Sequence, residues 1–245
     1  MSIYIKSVNI SGEIPEGEYI SSLNAVKNLK KMGSLPFKKS VTFFVGENGI
    51  GKSTLIEAIA INAGFNPEGG SRDFNFSTVC ANSRLYDYIS LDKGTLRAVD
   101  GFFLRAESFF NVASNIDTLN SEKPGLLDSY GGISLHELSH GEGLIALVKN
   151  RFRGKGLYIL DEPESALSPT GLISLMILMK SLVKDDSQFI ISTHSPILMT
   201  FPDSTIYELT DGGINSVKYD QTEHFLLTKQ FLDSPERMLK YIFGE

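Results

Sequence analysis

Cysteine is nearly absent from the 245-residue sequence. Cys80 stands alone, so no intrachain disulfide can form and the chain must rely on its core. Together with the lack of a secretory leader after Met1, this predicts a reducing, cytoplasmic setting. Long apolar runs are missing too. The longest candidate, residues 172–179, contains Ser174 and ends at Lys180, well short of the ~20 residues of a membrane-spanning helix. It is expected to be a buried core helix, with no membrane insertion by the chain itself. Nor is there an excess of positive charge. With 23 basic and 29 acidic residues the formal net charge is -6, so no global field attracts nucleic acid. Internal repeats and low-complexity tracts are also lacking. What is present is ordinary for a globular chain: 42% hydrophobic and 21% charged residues, enough to bury a sizeable core.

The pattern along the chain is strand alternating with helix. Residues 3–8 are β-branched and partly alternating, a strand. Residues 11–18 are rich in Gly, Pro and Glu and predict turns. Residues 25–39 hold five lysines and no acid; a solvated face is the preferred reading, a phosphate or nucleic-acid contact the sharper one. Residues 41–45 form a short apolar run that suits a buried parallel strand. A helix follows over 52–63, with Leu55, Ile56, Ile59 and Ala60 as its core stripe and Gly64 and Pro67 as stop signals. Residues 65–100 lack a clean period and predict an inserted lid, its outer bounds about 65–135. Strands are expected at 102–104, 157–160 and 189–191, and helices at 107–115, 138–151 and 169–184. Ser168 and Pro169 open the last of these. A hairpin across Asp211-Gly212-Gly213 and a helix after Ser234-Pro235 end the chain. The alternation predicts a single α/β domain over 1–245 with helices on both faces of its sheet.

The chemistry concentrates in three segments. Gly46-Glu47-Asn48-Gly49-Ile50-Gly51-Lys52-Ser53 matches G-x-x-x-x-G-K-[ST], followed by Thr54. The glycines let the backbone turn tightly and approach phosphates. Successive N–H groups at a helix start then form an anion-binding nest. Lys52 places a cation on the β- and γ-phosphates, and the Ser53 hydroxyl suits Mg²⁺. Chance alone yields this pattern in about one chain in a hundred of this length; the strand before it and the helix after it lower that further.

Leu160-Asp161-Glu162 sets two carboxylates at a strand's carboxyl end, where α/β sheets bind ligands. Asp161 is the expected Mg²⁺ ligand, and Glu162 the base that polarises the attacking water. Glu164 is expected to be a solvated loop residue. His194 follows another buried strand and could hydrogen-bond the γ-phosphate. Leu138-Ser139-His140-Gly141-Glu142 is locally a capping box, with Ser139 as N-cap and Glu142 three residues on. That does not exclude phosphate binding at the same helix start.

These motifs in this order resemble the nucleotide-binding domains of the ABC ATPase superfamily: phosphate loop, signature at 138–142, acidic strand, switch histidine. Ser165-Ala166-Leu167-Ser168 resembles the loop by which that family connects its two sites. The likeness covers about residues 41–196. Phe103-Leu104-Arg105-Ala106-Glu107 and Glu162-Pro163-Glu164 look like the small stand-alone bacterial ATPases often labelled AAA-family. The sequence departs from the pattern at His140 (usually glycine), Glu142 (usually glutamine) and Ser168 (usually aspartate). It has no glutamine before Gln188, so Glu107 is the stand-in for the family's glutamine loop.

The resemblance implies a P-loop NTPase fold: a mostly parallel sheet flanked by helices, an antiparallel N-terminal β portion and a small helical lid. It implies Mg²⁺ and ATP as cofactors and a head-to-tail homodimer. Lys52, Ser53, Asp161, Glu162 and His194 of one copy would then face Ser139 and Gly141 of the other. The glutamate-ending signature resembles the soluble chromosome-maintenance and DNA-repair branch. This sets the expected partner as an effector protein or DNA in repair or defence, ahead of a transporter or a scaffold with little turnover. Tyr4 and Phe37 are the candidate adenine-stacking rings.

Overall fold

The computed structural model describes residues 2–72 and 83–244; Cys80 and part of the expected lid lie outside them. Two sheets organise the chain. The smaller is antiparallel, in the order β2-β1-β4, from Ile5–Ile10 (β1), Ser34–Pro36 (β2) and Ile89–Lys93 (β4). The larger has six strands in the order β5-β6-β7-β3-β8-β9. These are Val41–Val45 (β3), Asp100–Arg105 (β5), Gly156–Asp161 (β6), Gln188–Ser192 (β7), Ser204–Leu209 (β8) and Ile214–Val217 (β9). All of its neighbours run parallel except β8 and β9, the expected hairpin.

The helices are Tyr19–Ser22 (α1), Asn24–Met32 (α2), Lys52–Asn62 (α3), Phe109–Glu122 (α4), His140–Arg151 (α5), Pro169–Lys184 (α6), Pro196–Met199 (α7), Glu223–Asp233 (α8) and Pro235–Phe243 (α9). The apolar strand runs are explained by burial on both faces. In β3, Phe44 points into a core shared with α3 and the small sheet, whereas Phe43 and Val45 point into a core shared with α4, α5 and α6. Strand side chains alternate between faces, so a strand covered on both sides has no polar period. Each fully buried Phe or Ile of this sheet contributes ~1.5–3 kcal/mol.

The described residues of the 65–135 segment do not stand apart from the two sheets. Strand β4 pairs into the small sheet and β5 into the large one. Helix α4 and the short 3-10 turns after it lie over the second core. The five-lysine stretch contains α2, which buries Ala25, Val26, Asn28 and Leu29 and turns Lys27, Lys30 and Lys31 outward. That is the solvated face, on a helix that the sequence pattern did not delimit. Among the described residues no helix is long and apolar enough to cross a membrane.

Candidate nucleotide site

Strand register places the motifs together. Phe44 is opposite Ser192, Ser192 opposite Asp161, and Asp161 opposite Arg105. The carboxyl ends of β3, β7, β6 and β5 therefore form one line, and the segments leaving these strands emerge at the same edge. The Thr193 N–H bonds the Phe44 carbonyl at 3.0 Å, tying the β7 end to the root of the phosphate loop.

The loop is shaped by glycine at two tight points. Gly46 has φ +141°, and a Cβ there would meet the Leu209 carbonyl at 2.3 Å. Gly51, at the start of α3, has φ +104°, and a Cβ would meet that of Ala25 at 3.0 Å. A side chain at either position would push the loop off its seat. Ile50 is buried beneath it, and Glu47, Asn48 and Gly49 face solvent. Lys52 Nζ donates to the carbonyls of Gly46 (2.8 Å) and Glu47 (2.9 Å). Burial pushes its pKa down, opposed by the nearby charges of Glu162, Asp161 and Glu164.

Asp161 is buried at the end of β6. Its carboxylate accepts hydrogen bonds from the hydroxyls of Ser192 and Ser53, and the nearest guanidinium, Arg105 Nε, is 3.8 Å away. Burial pushes its pKa up despite these partners. A dry carboxylate that lacks full compensation attracts a cation. The described residues hold no cluster of three or more His, Cys, Asp or Glu that could cage a metal. This fits Mg²⁺, which binds through one or two protein ligands with phosphates and waters completing its shell. Ser53 and Asp161 fit that role.

Glu162 adopts the left-handed conformation, φ 49° and ψ 53°, a strain of ~1 kcal/mol or more for a residue with a side chain. The turn is held by its N–H to the Ser192 carbonyl (3.1 Å) and hydroxyl (3.2 Å). Its carboxylate stays partly exposed, with Oε1 3.3 Å from His194 Nε2. No hydrogen bond is formed across that gap, and His194 Nε2 is a buried atom without a partner. Burial, then the Lys52 charge, then His224, lower the His194 pKa to about 4, so the ring is neutral at neutral pH.

Lys52, Ser53, Thr54 and Glu162 line one cavity with Asn48, Gly49 and Gly51. Its volume is only about 120 Å³, far below the ~300–1,000 Å³ of a closed small-molecule pocket. It can seat phosphates on one side and no more. Ser139 and Gly141 are not in it. They begin α5, where Ser139 and Glu142 form the reciprocal capping box. Gly141 and Glu142 border a separate groove of about 500 Å³ with Leu138, Ile145 and Leu167. Gly141 also has an internal reason to be glycine, since a Cβ would meet the Ala166 carbonyl at 2.8 Å.

Several expectations are corrected. Glu164 is not solvated: its carboxylate is buried, with the pKa raised chiefly for that reason, and accepts from the His194 N–H. It fixes the backbone of the switch histidine. Glu107 projects outward, its side chain 90% exposed; the inward residue at that strand end is Arg105, paired with Glu57 at 2.6 Å. Tyr4 and Phe37 are buried in the core and offer no ring to a base. Tyr19, 70% exposed on α1, borders the phosphate cavity instead. No local signal marked it, because it lies in a turn-rich stretch and reaches the site only through the fold.

A glycine cradle, a lysine, two carboxylates and a histidine at aligned parallel strand ends define a P-loop nucleotide-binding protein. Comparison with known proteins narrows this. A family model described as "AAA domain, putative AbiEii toxin, Type IV TA system" matches residues 127–200, and one described as "AAA domain" matches residues 22–119. The energy-coupling factor transporter ATP-binding protein EcfA of Methanosphaera stadtmanae is 27% identical over 218 residues, 81% of this chain and 75% of that protein. The nucleoside import ATP-binding protein NupA of Lactococcus lactis is 24% identical over 172 residues; the match covers 64% of this chain but only 34% of that protein. A nucleotide-free ATP-binding cassette from an ABC transporter superposes with TM-score 0.51 at 15% identity, covering 96% of this chain and 97% of that one. Together these likenesses identify an ABC-type/AAA P-loop ATPase fold and motif set.

Proposed function

We propose that the chain binds Mg-ATP at the ends of β3, β6 and β7 and hydrolyses it between two head-to-tail copies, so that the cycle drives a partner. One observation carries this reading: Lys52, Ser53 and Glu162 share a cavity too small for a nucleotide, while Ser139 lies outside it and Gly141 borders a different groove. A lone copy can therefore bind phosphates but not enclose them. The α5 start of a second copy offers unpaired N–H groups, as every helix start does, and these have something to bind only while a γ-phosphate is present.

Within one copy the proposed division of labour is as follows. The N–H groups of residues 47–53 and the Lys52 ammonium bind phosphate oxygens. Ser53 and Asp161 would hold Mg²⁺, which would supply charge neutralisation of the triphosphate and polarisation of its γ-phosphoryl group. Glu162 takes the proton of the attacking water, its carboxylate aimed by the left-handed turn. His194, kept neutral, hydrogen-bonds the γ-phosphate. Tyr19 offers its face to the base.

For the partner, the relatives support a membrane transport system over DNA repair or defence. EcfA, NupA and two further relatives are all named as transport or import ATP-binding proteins. The Glu142 ending of the signature is a single residue against that. The test is Glu162→Gln. It should bind ATP, lose turnover by about 10²–10³-fold, and form a dimer with ATP and Mg²⁺ visible by light scattering. The trapped form should retain a membrane protein on affinity purification. A monomer under those conditions refutes the sandwich; salt-sensitive retention of DNA would restore the repair reading.

A further inference from the structure

Helix α8 brings a second histidine to the site. His224 Nε2 lies 2.8 Å from His194 Nδ1, with the ring centroids 4.9 Å apart at 61°. The placement is anchored. Thr222 caps α8, its side chain buried and its hydroxyl bonded to the Tyr219 carbonyl at 2.8 Å, and the Glu223 N–H bonds Glu208 at 3.0 Å. His224 is the second residue of the helix. The His194 backbone is fixed independently by Glu164, so ring tautomer and rotation are what remain to be set.

Two imidazoles sharing one proton in a single hydrogen bond have two arrangements. If His194 Nδ1 donates, its Nε2 presents a lone pair to the Glu162 carboxylate at 3.3 Å, which is repulsive. His224 would then carry its remaining proton on Nδ1, a buried atom without a partner. If His224 Nε2 donates, His194 carries its proton on Nε2, facing the carboxylate, and the partnerless His224 Nδ1 is only an acceptor. His194 Nε2 also lacks a formed hydrogen bond, so each arrangement leaves one buried N–H unpaired. The Glu162 carboxylate 3.3 Å from His194 Nε2 decides for the second, which turns an N–H rather than a lone pair toward it.

We propose that His224 is a positioning residue that locks His194 in the Nε2–H tautomer and so aims that proton at Glu162 and the γ-phosphate position. The phosphate part rests on the nucleotide reading above; the tautomer does not. In many proteins a hydrogen bond to one ring nitrogen sets the working tautomer of a histidine in this way. Here the partner comes from a helix that fully buries none of its own side chains, so the setting depends on α8 remaining docked.

The experiment is long-range ¹H–¹⁵N correlation of the histidine rings in uniformly labelled protein without nucleotide, beside ATP turnover. Wild type should show His194 protonated at Nε2. His224→Leu should populate the Nδ1–H form. His224→Gln, whose amide nitrogen stands near the Nε2 position, should keep Nε2–H. Turnover should fall about tenfold in His224→Leu, the size of one lost hydrogen bond, with KM within about twofold, and recover to within about threefold in His224→Gln. An Nδ1–H His194 in wild type, or an unchanged spectrum in His224→Leu, overturns the proposal. Equal turnover loss in both variants with the tautomer preserved overturns its catalytic half. Absence of turnover in wild type sinks the ATPase reading and leaves the ring spectra to decide the tautomer alone.

Discussion

Two carboxylates, Asp100 half-buried and Asp161 buried, sit at opposite ends of neighbouring strands, and their surroundings differ. Asp100, at the start of β5, takes Arg151 Nη1 at 2.7 Å, the Tyr158 hydroxyl at 2.8 Å and the Arg153 N–H at 3.0 Å. Burial pushes its pKa up, but these bonds outweigh it and hold it below the usual range. Asp161, at the end of β6, has two hydroxyls and a guanidinium no closer than 3.8 Å, and burial wins. The first carboxylate is finished within the fold. The second is left short of compensation, which is the ground for proposing a cation there. The amino edge of the sheet is thus built for stability and the carboxyl edge for a ligand, and the two should respond oppositely to loss of charge.

The largest effect is expected at the carboxyl edge. Lys52→Ala removes an ammonium and its two carbonyl anchors on the loop. ATP affinity should drop by about 100-fold or more, since charge-assisted bonds to phosphate contribute ~1.5–3 kcal/mol each. The melting temperature should barely move, because the lysine is buried with a lowered pKa and gives little to the fold. Titration with a fluorescent ATP analogue measures the first and thermal unfolding the second. Undiminished affinity would end the phosphate-loop assignment.

Asp100→Asn should do the reverse. It leaves the half-buried Arg151 guanidinium short of its counter-charge and weakens the acceptor for Tyr158. Breaking such a pair costs ~3–5 kcal/mol when fully buried, and about 3 kcal/mol is expected at this partly exposed site. Urea unfolding reads it directly. Nucleotide affinity of the folded protein should be unchanged. A variant that loses ATP binding while keeping its stability would erase the contrast between the two edges.

Legibility in the sequence divides along the same line. The phosphate loop and Asp161-Glu162 were legible because their chemistry is local: the glycines, lysine and hydroxyl are adjacent, and the acids come directly after their own strand. The doubly buried strands were legible from their unbroken apolar runs. Tyr19, His224 and the partners of Asp100 were not, because each acts on residues 30 or more positions away and depends on register or on a returning helix. Glu164 was misjudged for a related reason. Three residues past the metal-site acid it looked like a turn, yet the fold closes His194 over it. Helix α2 was obscured by its lysines, whose exposed stripe hides the buried one at Ala25, Val26 and Leu29.

The smallest effect is the sharpest test of the comparison. Asp161→Asn removes a charge that burial disfavours, so without ligand the variant should be more stable than wild type, by about 1–2 kcal/mol. The pH dependence fixes the sign. A carboxyl whose folded pKa is raised binds more protons folded than unfolded, so its contribution is intact below the ordinary value and is lost as pH rises through the raised one. The advantage of the variant should therefore be near zero at pH 4 and grow toward neutral pH. His194 contributes the opposite slope. Its folded value of about 4 lies below the ordinary 6.5, so stability is present above pH 6.5 and lost as pH falls toward 4, equally in both proteins. The difference between variant and wild type at each pH cancels that term. Adding ATP and Mg²⁺ should reverse the order, since stabilisation by a ligand follows its affinity for the folded state. Wild type should gain several degrees, and the variant little. If Asp161→Asn instead destabilised the ligand-free chain as Asp100→Asn does, Asp161 would belong with the structural carboxylates and no cation would be needed to explain it.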